Sequence, residues 1–187
     1  GEFALLERIG KSYPDDPNLV CGIGDDCAVL RQADGLYQLV TTDMMVENDH
    51  FNLRWASPEQ VGMKLMEVNV SDIVSMGGTP TYAFLSMSLL SDTTVEFMEG
   101  FYRGLYAAAA RHGVALVGGD TTHGSEYVFN LTLLGMVVPD GLRLRSGAQV
   151  GDLIAVTGKV GGSTAGLKLL LAGKPGDTSD HLEPKSR

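Results

Sequence analysis

Apolar positions along this chain fall into two rhythms, and the changes between them mark the elements. Leu85 to Leu89 reads Leu-Ser-Met-Ser-Leu, a strict alternation that predicts a strand with one wet face. Tyr37 to Thr42 and Tyr127 to Val138 are rich in β-formers and predict two more strands, the first ending at Asp43. Val20 to Leu30 is strand-like but interrupted by Gly22, Gly24 and Asp25-Asp26. Val114 to Val117 predicts a short buried strand that delivers Gly118-Gly119-Asp120, and Asp152 to Thr157 predicts a further strand.

Helical spacing appears in four places. Phe3, Leu5, Leu6 and Ile9 outline a short helix over Glu2 to Ile9, followed by a Pro/Asp-rich loop from Tyr13 to Asn18. Ser57-Pro58 opens a longer helix, with Ser as N-cap and Pro at the first helical position; it runs to about Met76, where Gly77, Gly78 and Pro80 stop it. Thr93 and Glu96 are spaced as a capping box, and the helix behind them buries Met98, Phe101, Leu105 and Ala109 before closing at Gly113. Ser163 caps a last helix through Leu171, ended by Gly173. Strands and helices in this mixture, with neighbouring strands expected antiparallel, predict an α+β fold whose mainly antiparallel sheet packs against helices. No internal repeat is present.

Composition narrows the functional classes. At 187 residues the chain holds one substantial domain and a piece of a second. Its formal charge of −9 argues against a nucleic-acid partner, which requires clustered Lys and Arg, but suits a nucleotide whose phosphates are offset by divalent cations. No apolar run is long enough to span a membrane and no secretory signal opens the chain. The first residue is not Met, so further residues are expected upstream. Cys21 and Cys27 match neither a zinc knuckle nor a disulfide framework and read as reduced packing residues of a cytosolic protein.

The chemistry concentrates in aspartates placed where apolar elements end: Asp25-Asp26, Asp43, Asp72 and Asp120. Any one of them alone reads as turn or capping chemistry. Asp72 is different. Wound at 100° per residue, Val61, Leu65, Val68 and Met76 share a face with Asp72 in its middle and Asn69 beside it, whereas Lys64 and Glu67 point elsewhere. A carboxylate on an apolar face requires a cation, a distant Arg or several backbone amides. Thr41, Thr42, Thr121 and Thr122 flank the aspartates, and this oxygen-only set suits magnesium better than zinc. Magnesium held by few carboxylates shares its shell with substrate phosphates, which points to nucleotide chemistry or, on the carboxylates alone, a two-metal phosphohydrolase. Gly118-Gly119 allows a close backbone approach to a ligand, or simply a tight turn. Neither a Walker A sequence nor a well-placed G-x-G-x-x-G occurs; Gly161-Gly162-Ser163 is a helix start that could receive an anion.

Taken in order, Gly1-Glu2-Phe3, Gly22-Ile23-Gly24-Asp25-Asp26-Cys27, Thr41-Thr42-Asp43 with His50-Phe51, Val68-Asn69-Val70-Ser71-Asp72 with Met76-Gly77, Gly118-Gly119-Asp120-Thr121-Thr122, Arg145-Ser146-Gly147-Ala148, Gly151-Asp152 and Val156-Thr157-Gly158 resemble the thiamine-monophosphate kinase family over essentially the whole chain. That family is related to aminoimidazole-ribonucleotide synthetase, selenophosphate synthetase and the hydrogenase-maturation dehydratase. The resemblance implies an N-terminal ATP- and magnesium-binding domain (residues 1–139) that dimerises through its sheet, then an incomplete second α+β domain (residues 140–187). The implied activity is ATP-dependent phosphorylation of thiamine monophosphate to the diphosphate, by a cytoplasmic homodimer. By the same resemblance Asp26, Thr41, Thr42, Asp43, Asp72 and Asp120 are magnesium ligands. Gly119, Asp120 and Arg145 contact the nucleotide phosphates, Tyr102 lies near the base or packs in the core, and His50 meets thiamine monophosphate.

Two residues depart from the family pattern: Glu67 replaces a small residue and adds a charge close to the metal, and His123 replaces an Arg. The family's Asp-rich loop and aromatic clamp lie in its second domain and are not in this sequence, so no catalytic residue is assigned. A 187-residue fragment is expected to bind nucleotide and metal with little turnover. Another enzyme of the hydrogenase-maturation or selenophosphate type, or a non-catalytic dimerisation module, are the competing readings.

Overall fold

The computed structural model describes residues 16–186; the helix expected over Glu2 to Ile9 and the Gly1-Glu2-Phe3 motif lie outside them. The elements are β1 (Leu19–Cys21), β2 (Ala28–Arg31), β3 (Tyr37–Val46), α1 (Pro58–Ser75), β4 (Thr79–Leu89), α2 (Val95–His112), β5 (Ala115–His123), β6 (Val128–Val137), α3 (Gly162–Leu171) and α4 (Ser179–Leu182). Six strands form one sheet in the order β1-β2-β3-β6-β4-β5. All neighbours are antiparallel except β4 and β5, which run parallel, joined by the α2 crossover. The sheet is thus mixed and mainly antiparallel, with its one parallel pair at the β5 edge.

Alternation decides which face is buried. Leu39, Met45, Leu85, Phe129, Leu131 and Leu133 are buried and meet Leu65, Ile73, Phe101 and Leu105 of α1 and α2; Phe101 stacks on Phe129 with ring centroids 4.2 Å apart. The opposite face leaves Met44, Tyr82 and Phe84 exposed. α1 begins as its sequence dictates: Ser57 accepts from the Gln60 amide while the Gln60 side chain accepts from the Ser57 amide, and Pro58 stands in the first turn. Gly62 and Gly104 let α1 and α2 touch, because a Cβ at either would overlap a carbonyl oxygen of the other helix, Phe101 O or Glu59 O.

Several expectations change. The cap of α2 is Thr94, which accepts from the Phe97 amide; Thr93 is spent on the Leu90 carbonyl and the Tyr127 hydroxyl. α3 begins after Gly161, in the left-handed region at φ 92°, so Ser163 lies inside the helix rather than capping it. Leu153 to Val156 belongs to no strand: it pairs with none of the six strands, and Leu153, Ile154 and Val156 are exposed. β3 and β5 outrun their expected ends because their partner ladders continue, to Val46↔Val128 and Leu89↔His123. Asp43 and Asp120 consequently sit inside strands, and Asp72 in the last turn of α1; of the four aspartate segments only Asp25-Asp26 lies in a loop.

Candidate functional site

Three elements bring the first cluster together. On β3 the period of two places Thr41 and Asp43 on the helix-covered face, with Leu39 and Met45, and Thr42 with Met44 on the other. α1 packs on that face, and Thr41 Oγ1 donates to Asp72 Oδ2 at 2.7 Å. The β1–β2 loop supplies Asp26, which accepts from Ser75 Oγ at 2.6 Å and pairs with the Arg145 guanidinium. The Arg145 amide donates to Asp25 Oδ2 at 3.0 Å, so both aspartates of the pair hold the Arg145–Gly147 turn.

The charges in this cluster act on one another. Burial raises the Asp72 carboxyl above its ordinary value; the Thr41 hydrogen bond opposes this, while Asp43 and Asp26 add to it. Burial also raises Asp43, against the opposing charge of His50. Burial would raise Asp26 too, but Ser75 and Arg145 more than offset it and leave Asp26 below the usual carboxylate value. Beneath them Cys27 is buried by its surroundings and flanked by Asp72, Asp26 and Asp25, which together push its thiol up to about 12. It is an inert packing group whose amide donates to Met76 Sδ.

A second centre lies at the sheet edge. Gly118, Gly119, Asp120 and Thr121 of β5 line a hollow of about 600 Å³ with Leu85, Met87, Tyr102 and Tyr106. Gly119 is held at φ 157°, and a Cβ there would overlap the Leu85 carbonyl oxygen, so the glycine permits the close approach of β5 to β4. Gly118-Gly119 is thus extended strand, not a tight turn. Tyr102 packs edge-on against Phe101 and lines the hollow beside Tyr106. On the strand order β3-β6-β4-β5 the Asp43 and Asp120 backbones are three strand spacings apart, about 14 Å.

The predicted residues therefore fall into two groups. Asp26, Thr41, Asp43, Asp72 and Arg145 share one cluster, with His50 beside Asp43; Gly119, Asp120 and Tyr102 share the other. Thr42 lies on the face opposite the first cluster and bonds Asn130 and Thr132. Among the described residues no three His, Cys, Asp or Glu side chains converge closely enough to cage a metal ion. The donor set is nonetheless hard, anionic and mutually repelling, which fits a cation that completes its shell with phosphate oxygens. Ser75 was missed in the sequence, although it stands three residues from Asp72 on one helix. Asn69 is fully buried with Oδ1 unpartnered. Glu67, expected to point away from the apolar face, is 2% exposed; Arg111, His112 and the Ser186 amide satisfy it, with no partner in the aspartate cluster.

A half-covered six-stranded mixed sheet with carboxylates over its covered face and a glycine-lined edge defines the class: the chain belongs to the AIR synthase related proteins, whose N-terminal-domain model matches residues 24–137. Within that class it is similar to the thiamine-monophosphate kinases of Bacillus subtilis (37% identity, covering 91% of this chain and 53% of the relative) and Corynebacterium glutamicum (38%, covering 98% and 55%). Among solved structures it superposes on one described as AaThiL complexed with AMPPCP and TMP, with TM-score 0.89 and 34% identity over 100% of this chain and 60% of that one. The thiamine-monophosphate kinase from Aquifex aeolicus gives TM-score 0.81 at 30% identity, covering 100% and 61%. The chain spans about half the length of the curated relatives it matches.

Proposed function

We propose that the protein is an ATP-dependent kinase that converts thiamine monophosphate to thiamine diphosphate, and that residues 1–139 form its nucleotide- and magnesium-binding domain while residues 140–187 begin a second domain. The observation that carries this reading is the pairing of the Asp26–Asp43–Asp72 cluster, held by Thr41, Ser75 and Arg145, with the hollow lined by Tyr102, Gly119 and Asp120. The names of the similar proteins give it a substrate. In this reading Asp26, Asp43 and Asp72 hold Mg2+ with Thr41, and Asp120 holds a separate Mg2+ at the second centre. Such ions, when bound, neutralise phosphate charge. Thr42, on the opposite face, has only its backbone carbonyl to offer this cluster. Tyr102 receives the base, Gly119 and Asp120 meet the phosphates, Arg145 exchanges Asp26 for a phosphate oxygen, and His50 meets the acceptor.

The apolar open face, with Met44, Tyr82 and Phe84 exposed, suits a second copy of this chain and a cytoplasmic homodimer. Thermal unfolding with Mg2+ and a non-hydrolysable ATP analogue tests the reading. A ligand specific to the folded state at a hundredfold excess over Kd adds about 2.7 kcal/mol. The rise should need both ligands and vanish in Asp72→Asn; a protein indifferent to both would instead be a dimerisation module.

A further inference from the structure

Residues 183–186 leave α4 and lie along α1. α4 stops at Leu182 because Pro184 follows: its ring disfavours the helical region for Glu183, which stands at φ −132° and ψ 57°. From there burial alternates, with Pro184 and Ser186 half-buried and Glu183 and Lys185 exposed, as in an extended segment laid on a surface. Two contacts fix it. Gln60 Nε2 donates to Glu183 Oε1 at 2.8 Å, and the Ser186 amide donates to Glu67 Oε2 at 2.6 Å. Gln60 and Glu67 stand seven residues apart on one face of α1, about 10 Å along its axis. Glu183 and Ser186 are three residues apart, about 10 Å in an extended chain. The spacings match, so both ends of the segment are held at once.

The contact to Glu67 is the stronger. Arg111 takes Oε1 at 2.6 Å, His112 Nε2 stands 3.2 and 3.1 Å from the two oxygens, and the Ser186 amide completes Oε2 of a side chain that is 1% exposed. Stripping a buried carboxylate oxygen of its donor is costly, and here the donor is backbone, which any residue but proline supplies. Gln60 is held too: its Oε1 accepts from the Ser57 amide in the capping box, which leaves Nε2 for Glu183. α3 packs on α4 and α4 on α1, so this segment also sets the position of α3. The helix that receives it carries Asp72 and Ser75 at its other end. The Arg145 turn is a second attachment of residues 140–187, made to Asp25 and Asp26. In the kinase reading its guanidinium leaves Asp26 for a phosphate oxygen.

We propose that residues 183–186 are a strap that registers the second domain against the aspartate cluster, with Gln60 and Glu67 as positioning residues for phosphoryl transfer that touch neither substrate. Arg145 is the attachment that nucleotide releases, and the strap is the one that stays. This rests on the kinase reading above and adds to it residues outside the aspartate motifs.

The test uses the full-length protein and variants that spare the first domain. Ser186→Pro removes the amide but leaves Glu67 its ion pairs, and Ser186→Ala keeps the amide. Gln60→Glu keeps an acceptor for the Ser57 amide and sets a carboxylate against Glu183; adding Glu183→Gln reverses donor and acceptor and restores the bond. Amide hydrogen exchange over residues 162–182 is measured beside turnover of ATP and thiamine monophosphate. Ser186→Pro and Gln60→Glu should each speed exchange in α3 and α4 by about tenfold. Both should lower kcat by about fivefold or more, with the Kd for Mg2+ and a non-hydrolysable ATP analogue within about twofold of wild type. Ser186→Ala and the double variant should behave as wild type. Unchanged exchange in both Ser186→Pro and Gln60→Glu overturns the strap. Faster exchange with unchanged kcat overturns the positioning role. A wild type that turns over no thiamine monophosphate overturns the kinase reading and the positioning role with it, while exchange still decides the strap.

Discussion

Glu67 shows how one side chain carries stability and a pH signature. Burial works against its charge, but Arg111, the Ser186 amide and His112 hold it below the ordinary glutamate value of 4.5. A carboxyl depressed in the folded state stabilises above its unfolded pKa, and that contribution is lost as pH falls through the folded pKa. Glu67→Gln should therefore lower the free energy of urea unfolding at pH 7 by about 1–2 kcal/mol, because Arg111 is partly exposed and can rehydrate. The gap to wild type should narrow steadily below pH 4.5. A gap that stays constant with pH would mean the ion pairs contribute nothing. Asp72 predicts the opposite sign. Its charge is disfavoured by burial and by Asp43 and Asp26, so Asp72→Asn should raise the unfolding temperature of the ligand-free protein even as it removes the response to Mg2+ and nucleotide.

Between elements the tightest fit is the crossing of α1 and α2. Gly104→Ala gains about 1 kcal/mol of helix propensity but sets a methyl against the Glu59 carbonyl, where backbone cannot give way. The overpacking should prevail, with a net loss of roughly 1–2 kcal/mol by chemical denaturation. The start of α2 offers a second measurement: Thr94→Ala removes the acceptor for the Phe97 amide and should cost about 1 kcal/mol. The spacing to Glu96 pointed to Thr93 as the cap, but Thr94 takes that place. Both are good caps, and the choice fell to the Tyr127 hydroxyl, which comes from 34 residues away and engages Thr93.

For the molecule as a whole, the asymmetry of the sheet is the main consequence. One face is closed by α1 and α2, and the other presents Met44, Tyr82 and Phe84 to solvent. If a second copy covers it, Phe84→Glu should shift sedimentation toward the monomer while leaving the core, which lies on the far face, intact. Unchanged sedimentation would assign that face to another partner. The exposed Leu153, Ile154 and Val156 tell a related story: their β-forming sequence is plain, but they pair with no strand of the sheet, and β-propensity without a ladder makes no strand.

The sequence by itself determined the local grammar: the Ser57-Pro58 start of α1, the alternation along β4 and β6, and the aspartates and glycines that mark the chemistry. These follow from backbone sterics and periodicity, which act within a few residues. Tertiary structure decided what depends on distant partners. The β6 ladder carried β3 past Asp43 and put Asp43 and Thr41 on the face opposite Thr42. The α2 crossover made β5 parallel to β4 and set Asp120 three strands from Asp43. Glu67 lies on the buried side of α1 because Arg111 and His112, at the end of α2, are there to receive it. A helical wheel assigns faces from one helix alone, and a buried charge is settled by what the other elements bring to it.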